Sequence, residues 1–158
     1  MRFGSLSIQI SQEICRDNDD SEITSGSDGS STTDAHHTCL RVKQTISPTG
    51  FDSEGTYHVN GKPMDKTFPI FGNLTFSMSY IDVATIEDKE VQQALSDGSS
   101  YKNVIQEVSY PRDLGKKWKA RTIWGFEMIN GEKHLTRNCF VERDGEVVKA
   151  KMVYDYGV

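Results

Sequence analysis

Two dipeptides, Asn130-Gly131 and Asp144-Gly145, constrain this chain more than any other feature of its sequence. Each supplies the positive φ angles of a tight type I′ hairpin turn. Counting outward from two-residue loops fixes the pairing. Across the first turn Met128 faces Lys133, Phe126 faces Leu135, Trp124 faces Arg137 and Thr122 faces Cys139. Across the second, Val141 faces Val148, Cys139 faces Ala150, Arg137 faces Met152 and Leu135 faces Tyr154. Side chains alternate between the two faces of a strand. Trp124, Phe126, Leu135, Cys139, Val148 and Met152 therefore share one face, expected to be dry, with Arg137 as its charge. Glu127, His134, Thr136, Asn138, Lys149 and Lys151 fall on the other, expected to be wet.

Upstream the pattern is also that of strands. Ser5–Ile14 alternates, and either pairs across the polar stretch that follows or belongs to a tail, the reading we favour from sequence. From Arg16 to His37 the chain is Asp, Ser, Thr and Gly with a single aliphatic residue, Ile23. Such a composition buries too little surface to offset the entropy of ordering. Thr38–Ile46 alternates again, and Asn60-Gly61 is a third hairpin signal that would pair Tyr57 with Met64. Pro63 marks the return strand as an edge or as one that starts with a bulge. Asn73–Ala84 is a long strand with Leu74, Phe76, Met78 and Tyr80 on one side. Thr85, with Asp88 three residues on, resembles a capping box, and Gly98 a stop, for one short helix carrying Ile86, Val91, Ala94 and Leu95. Val104, Gln106, Val108 and Tyr110 form one more strand. The expectation is all-β: a single antiparallel up-and-down β-barrel of about eight strands with one short helix. Residues 1–37 precede it as a strand candidate plus a polar segment, and residues 38–158 form the barrel domain.

A net charge of −5 argues against nucleic acid as the partner, because phosphate binding rewards clustered Lys and Arg. The group Lys116, Lys117, Lys119 and Arg121 reads as a solvated strand face. Three cysteines, Cys15, Cys39 and Cys139, at unrelated spacings read as free thiols of a reducing compartment, with neither a disulfide framework nor a zinc site. His36-His37 has no ligand at metal spacing beside it, and His58 and His134 stand alone on strands. The expectation is no metal and no cofactor. No signal-peptide-length apolar run follows Met1 and no segment is apolar enough to span a bilayer, so the expectation is a cytoplasmic protein with no membrane partner, open to homodimerisation through an unpaired strand.

The closing meander from Trp118 to Tyr156, with inward Arg137 and Tyr154 on the last strand, resembles the end of a calycin barrel, the superfamily of lipocalins and intracellular fatty-acid-binding proteins. The resemblance covers about a quarter of the chain. In fatty-acid-binding proteins an inward Arg and Tyr near the C-terminus hold a ligand carboxylate; by position that role falls here to Arg137 and Tyr154. The chain departs from those families in three ways. Met152 stands where they carry Arg two residues before the Tyr. There is no Gly-x-Trp near the N-terminus, and no helical lid follows the first strand.

An inward Arg demands an acidic counterpart: a ligand, a buried carboxylate, or solvent. Trp124, Phe126, Phe76, Met78, Met152 and Tyr154 are the candidate lining of a pocket around Arg137, or simply core. Tyr80, Tyr154 and Arg137 are the candidate catalytic groups, as hydrogen-bond donors to a substrate carbonyl. Two functions fit these residues, and a hydrophobic lining with few inward carboxylates favours the first over the second. One is binding of a small hydrophobic or aromatic acid inside the barrel. The other is a cofactor-independent isomerase or cyclase of natural-product biosynthesis that folds a polyene-like substrate in the same pocket.

Overall fold

A computed structural model of the chain describes residues 5–16, 36–47, 51–68, 71–98, 100–113, 115 and 117–155. The protein is mostly antiparallel β, in two sheets of three and six strands, and divides into two compact units, Met1–Asn60 and Gly61–Val158. The first unit holds β1 (Ser5–Arg16), β2 (His36–Ser47) and β3 (Phe51–Val59), paired in the order β1-β2-β3. The N-terminal strand is thus not a tail: its ladder with β2 runs from Ser5↔Ser47 to Arg16↔His36. Of the polar stretch expected from Arg16 to His37, Arg16 belongs to β1 and His36 and His37 to β2, and residues 17–35 lie outside the described ones.

The second unit holds β4 (Met64–Phe68), β5 (Gly72–Asp82), a 3-10 turn (Val83–Thr85), α1 (Lys89–Gly98), β6 (Asn103–Pro111), β7 (Trp118–Ile129), β8 (Glu132–Arg143) and β9 (Glu146–Tyr154). The six strands lie in sequence order, β4 and β9 at the ends. Pro63 immediately precedes β4, as its missing N–H requires of an edge. Asn130 and Asp144 have φ near 52° and 53°, and the glycines that follow 85° and 83°, which makes both turns type I′. The resulting register pairs Trp124 with Arg137 and Arg137 with Met152, as counted from the sequence.

The third hairpin signal is not realised. Tyr57 pairs with Leu40 in one sheet and Met64 with Phe76 in the other. A type I′ turn needs positive φ at both central residues, and among Asn60 and Gly61 only Gly61, at 75°, has it.

The helix also begins later than the capping-box pattern implies. Asp88, not Thr85, is its N-cap: Asp88 Oδ1 accepts from Val91 N at 3.1 Å, and Lys149 donates to the other carboxylate oxygen. Thr85 Oγ1 instead donates to Asp82 O, closing the 3-10 turn.

The position of α1 overturns the expectation of a wet face. Val91 and Leu95 from the helix, with Val83 and Ile86 before it, form one cluster with Val104, Ile123 and Phe140 of the sheet. Thr136 and Asn138, expected to meet water, are 0% and 3% exposed. Ile123 and Phe140 share their face and were its sequence signal: two large apolar residues among charges. Conversely, Val148 on the supposedly dry face is 66% exposed, because β9 ends the sheet.

Close approach of α1 to β7 depends on glycine at Gly98. A Cβ there would collide with Phe126 O and stand 2.5 Å from Glu127 Cα, both backbone atoms that cannot swing aside. Gly98→Ala is expected to cost about 1–3 kcal/mol and to lower the thermal midpoint by roughly 3–10 °C. An unchanged midpoint by circular dichroism would refute the placement of the helix end against β7.

Candidate functional site

Strand register delivers four neighbouring strands to one point. Ile105, Trp124, Arg137 and Met152 stand in one row across β6–β9, and Glu107, Thr122 and Cys139 in the next. These rows belong to the face opposite α1. Glu107 therefore lies diagonally from Trp124, within reach of a long side chain. Glu107 Oε2 accepts from Trp124 Nε1 at 3.1 Å and from Arg137 Nη2 at 3.4 Å. The guanidinium lies over the indole, with Arg137 Cζ 4.0 Å from the ring centroid. Carboxylate, indole and guanidinium form one closed triangle.

Burial gives this triangle its weight. Trp124 is 7% exposed, and the side chains of Arg137 and Glu107 are 15% and 22% exposed. At such depth a cation over an indole stabilises by roughly 2 kcal/mol, and the ion pair is screened far less than a surface pair. Arg137 Nε is buried and has no hydrogen-bond partner among the described residues. A guanidinium offers five N–H donors, so this site retains a desolvated donor after its internal bonds are made.

The other candidates are distributed around the triangle unevenly. Tyr80 stands on β5 opposite Ile105, in the same row as Trp124 and Arg137, and is 46% exposed. Met152 faces Arg137 directly. Tyr154 is one pair further along, half-buried, its hydroxyl donating to Met152 Sδ at 3.6 Å. Met78 and Phe76 share the face and are 1% and 2% exposed. Phe126 is half-buried and carries Lys133 Nζ 4.9 Å above its ring. A cleft of about 510 Å³ lies elsewhere, between the 3-10 turn, α1 and Ser100–Lys102. Its Gln92 amide is already committed to Val83 O and Ala84 O, and among the described residues that line it no ion pair is formed, so the triangle, which holds one, is the better chemical candidate.

Glu107 is the member that sequence reasoning missed. The alternation Val104, Gln106, Val108, Tyr110 drew attention to the face of β6 that turns toward α1, leaving Glu107 unconsidered. The demand of an inward Arg for an acid was the available signal, but no short turn fixes the β6–β7 register by counting.

A second ionic group occupies the opposite face. Glu127, 2% exposed, accepts from Lys151 Nζ at 2.7 Å, Asn138 Nδ2 at 2.8 Å and Thr136 Oγ1 at 2.9 Å. Burial pushes its carboxyl upward, but the bonds from Lys151, Asn138 and Thr136 outweigh it and hold the group below the ordinary carboxylate range. With both oxygens engaged, it reads as structure.

The cysteines also depart from expectation. Cys15 and Cys39 are joined as a disulfide, with Cα atoms 5.9 Å apart, where three free thiols were expected; Cys139 is free. Two histidines that looked isolated in sequence, His37 and His58, adjoin Cys39 in the first unit. Cross-strand register unites them, and residue spacing could not show it.

Among the described residues no helix is long and apolar enough to cross a membrane. No protein-family model matches the chain, and no solved structure matches it. Over 112 residues the chain is 30% identical to the "Probable pericyclase scpY" of Mollisia scopiformis, a match covering 69% of this chain and 57% of that protein. The chain therefore spans little more than half the length of the curated relative it resembles.

Proposed function

We propose that this protein is a cofactor-independent cyclase or isomerase of pericyclic type, acting on a neutral, conjugated substrate carbonyl held beside Arg137. The observation that carries this reading is the Glu107–Trp124–Arg137 triangle with its unspent buried donor at Arg137 Nε. Similarity to a probable pericyclase supports the reaction class. A pericyclic step needs no nucleophile and no proton relay. It needs the reacting ends held together and electron density drawn toward a carbonyl, which a positioned donor in a water-poor site supplies. Arg137 is the proposed donor, Tyr80 in the same row a second one. Trp124, Met78 and Met152 supply the apolar surface on which a polyene folds.

Carriage of an organic acid, the alternative, finds less support. Glu107 already offsets the charge of Arg137 at 3.4 Å, so a ligand carboxylate would arrive beside another carboxylate.

The test is an isomer assay. Apolar extract of cells that carry this gene is incubated with purified protein and followed by chromatography with mass detection. The expected result is a compound that changes retention time without changing mass, and does so only with active protein. If nothing isomerises while a fluorescent polyene acid binds saturably, the catalytic reading fails in favour of a carrier.

A further inference from the structure

The first unit contains a constellation that the proposed reaction does not use. Cys15 on β1, His37 and Cys39 on β2 and His58 on β3 meet on one face of the three-stranded sheet. The ladder aligns them directly, Cys15 opposite His37 and Cys39 opposite His58. His58 Nδ1 lies 3.2 Å from Cys39 Sγ, and His37 Nε2 lies 3.7 Å from it. The two imidazole nitrogens are 2.7 Å apart. Ligand atoms of Cys15, Cys39 and His58 all fall within 4.8 Å of one another. Cys39 is 0% exposed.

We propose that, with Cys15 and Cys39 reduced, these two thiols and the imidazoles of His58 and His37 bind one zinc ion as a closed tetrahedral structural site. Zinc–sulfur bonds of about 2.3 Å and zinc–nitrogen bonds of about 2.0–2.1 Å place neighbouring ligand atoms roughly 3.3–3.8 Å apart. Of the distances that involve an imidazole, two lie within about 0.1 Å of that range and side-chain rotation opens the third; the two sulfurs, bonded to each other in the disulfide, must part on reduction to reach it. The chemistry of the set is selective: two soft thiolates with two imidazoles suit zinc, whereas magnesium and calcium take oxygen ligands. Charge balances as well. Two thiols release two protons to solvent, and the two thiolates neutralise the dication while both imidazoles stay neutral. A disulfide alone accounts for Cys15 and Cys39, since a Cα separation of 5.9 Å suits it. The His37–His58 hydrogen bond of 2.7 Å brings the two imidazoles together, and both of its nitrogens also converge on Cys39 Sγ, which a disulfide does not require. The metal would clasp all three strands of a small sheet, with binding energy adding directly to folding energy.

Full-length protein purified with reductant and equimolar zinc, then freed of unbound metal, tests this by native mass spectrometry and elemental analysis. The expected result is one zinc per chain, falling at least tenfold in Cys15→Ser and in His58→Ala. Cobalt in place of zinc is expected to give the d–d bands of a tetrahedral ion and thiolate-to-metal charge-transfer absorption. This wild-type spectrum decides the matter even if a variant fails to fold. Chelation should lower the melting temperature of wild-type protein without changing the Arg137-dependent isomer assay, which separates this inference from the proposed reaction. Reduced, folded wild-type protein with all its thiols titratable and no bound metal would overturn the proposal. So would protein that keeps a Cys15–Cys39 disulfide through reductant and excludes zinc.

Discussion

Arg137→Met is expected to lower turnover by about 10²–10³-fold, the loss typical of removing one preorganised donor from a site of charge development. It should also destabilise the fold, because Glu107, at 22% exposure, loses its cation and keeps only the Trp124 N–H. Breaking a buried pair costs up to about 3–5 kcal/mol; partial exposure places this case toward the lower end. Glu107→Gln combined with Arg137→Met should restore much of that stability and none of the turnover. Urea unfolding of the four proteins in this cycle measures the coupling, and the isomer assay measures the activity. Recovery of turnover in the double variant would remove Arg137 from the mechanism. Glu107→Gln alone separates the two functions. An acid carrier should bind a conjugated-polyene fatty acid more tightly once the competing carboxylate is gone. A catalyst of neutral carbonyl compounds should bind the methyl ester of that acid about as well as before.

Glu127→Leu is expected to cost about 3 kcal/mol, lowering the thermal midpoint by roughly 6–12 °C. Asn138, 3% exposed, would lose an acceptor that water cannot replace, and Thr136, 0% exposed, would be left with only the longer bond to Gly125 O at 3.4 Å. Lys151, whose side chain is 38% exposed, can turn to solvent and adds little. The same network predicts an acid response. The Glu127 carboxyl sits below its ordinary range in the folded protein, so its contribution is complete above the unfolded value near ~4.3 and is lost as pH falls through the folded value. The stability gap between wild type and Glu127→Gln should therefore narrow from pH 5 toward about pH 3. Asp88, held low by the bond from Lys149 and by Val91 N, adds an acid slope of the same sign, but it is present in both proteins and cancels in the difference. A gap that stays constant under acid would mean that Glu127 is not ionised in the fold.

Turn chemistry made the C-terminal meander legible. Asn-Gly and Asp-Gly at the two turns fix register by counting, and register puts Arg137 beside Trp124 and Met152 before any tertiary contact is known. The same reasoning failed at Asn60-Gly61, where the local preference exists but the strands on either side have other partners. A dipeptide can favour a turn; only the sheet decides whether the turn is used.

Sequence by itself determined the strand content, the pairing across the two type I′ turns and the row in which Arg137 stands, because these depend on backbone sterics and a period of two. Tertiary structure decided the rest. It laid α1 over the face rich in polar residues, so Thr136, Asn138 and Glu127 became buried structure. It chose Glu107 as the partner of Arg137 through the β6–β7 register, and it gathered Cys15, His37, Cys39 and His58 from three strands. These outcomes rest on contacts between residues far apart in the chain, and periodicity within a strand carries no information about which distant strand will lie beside it.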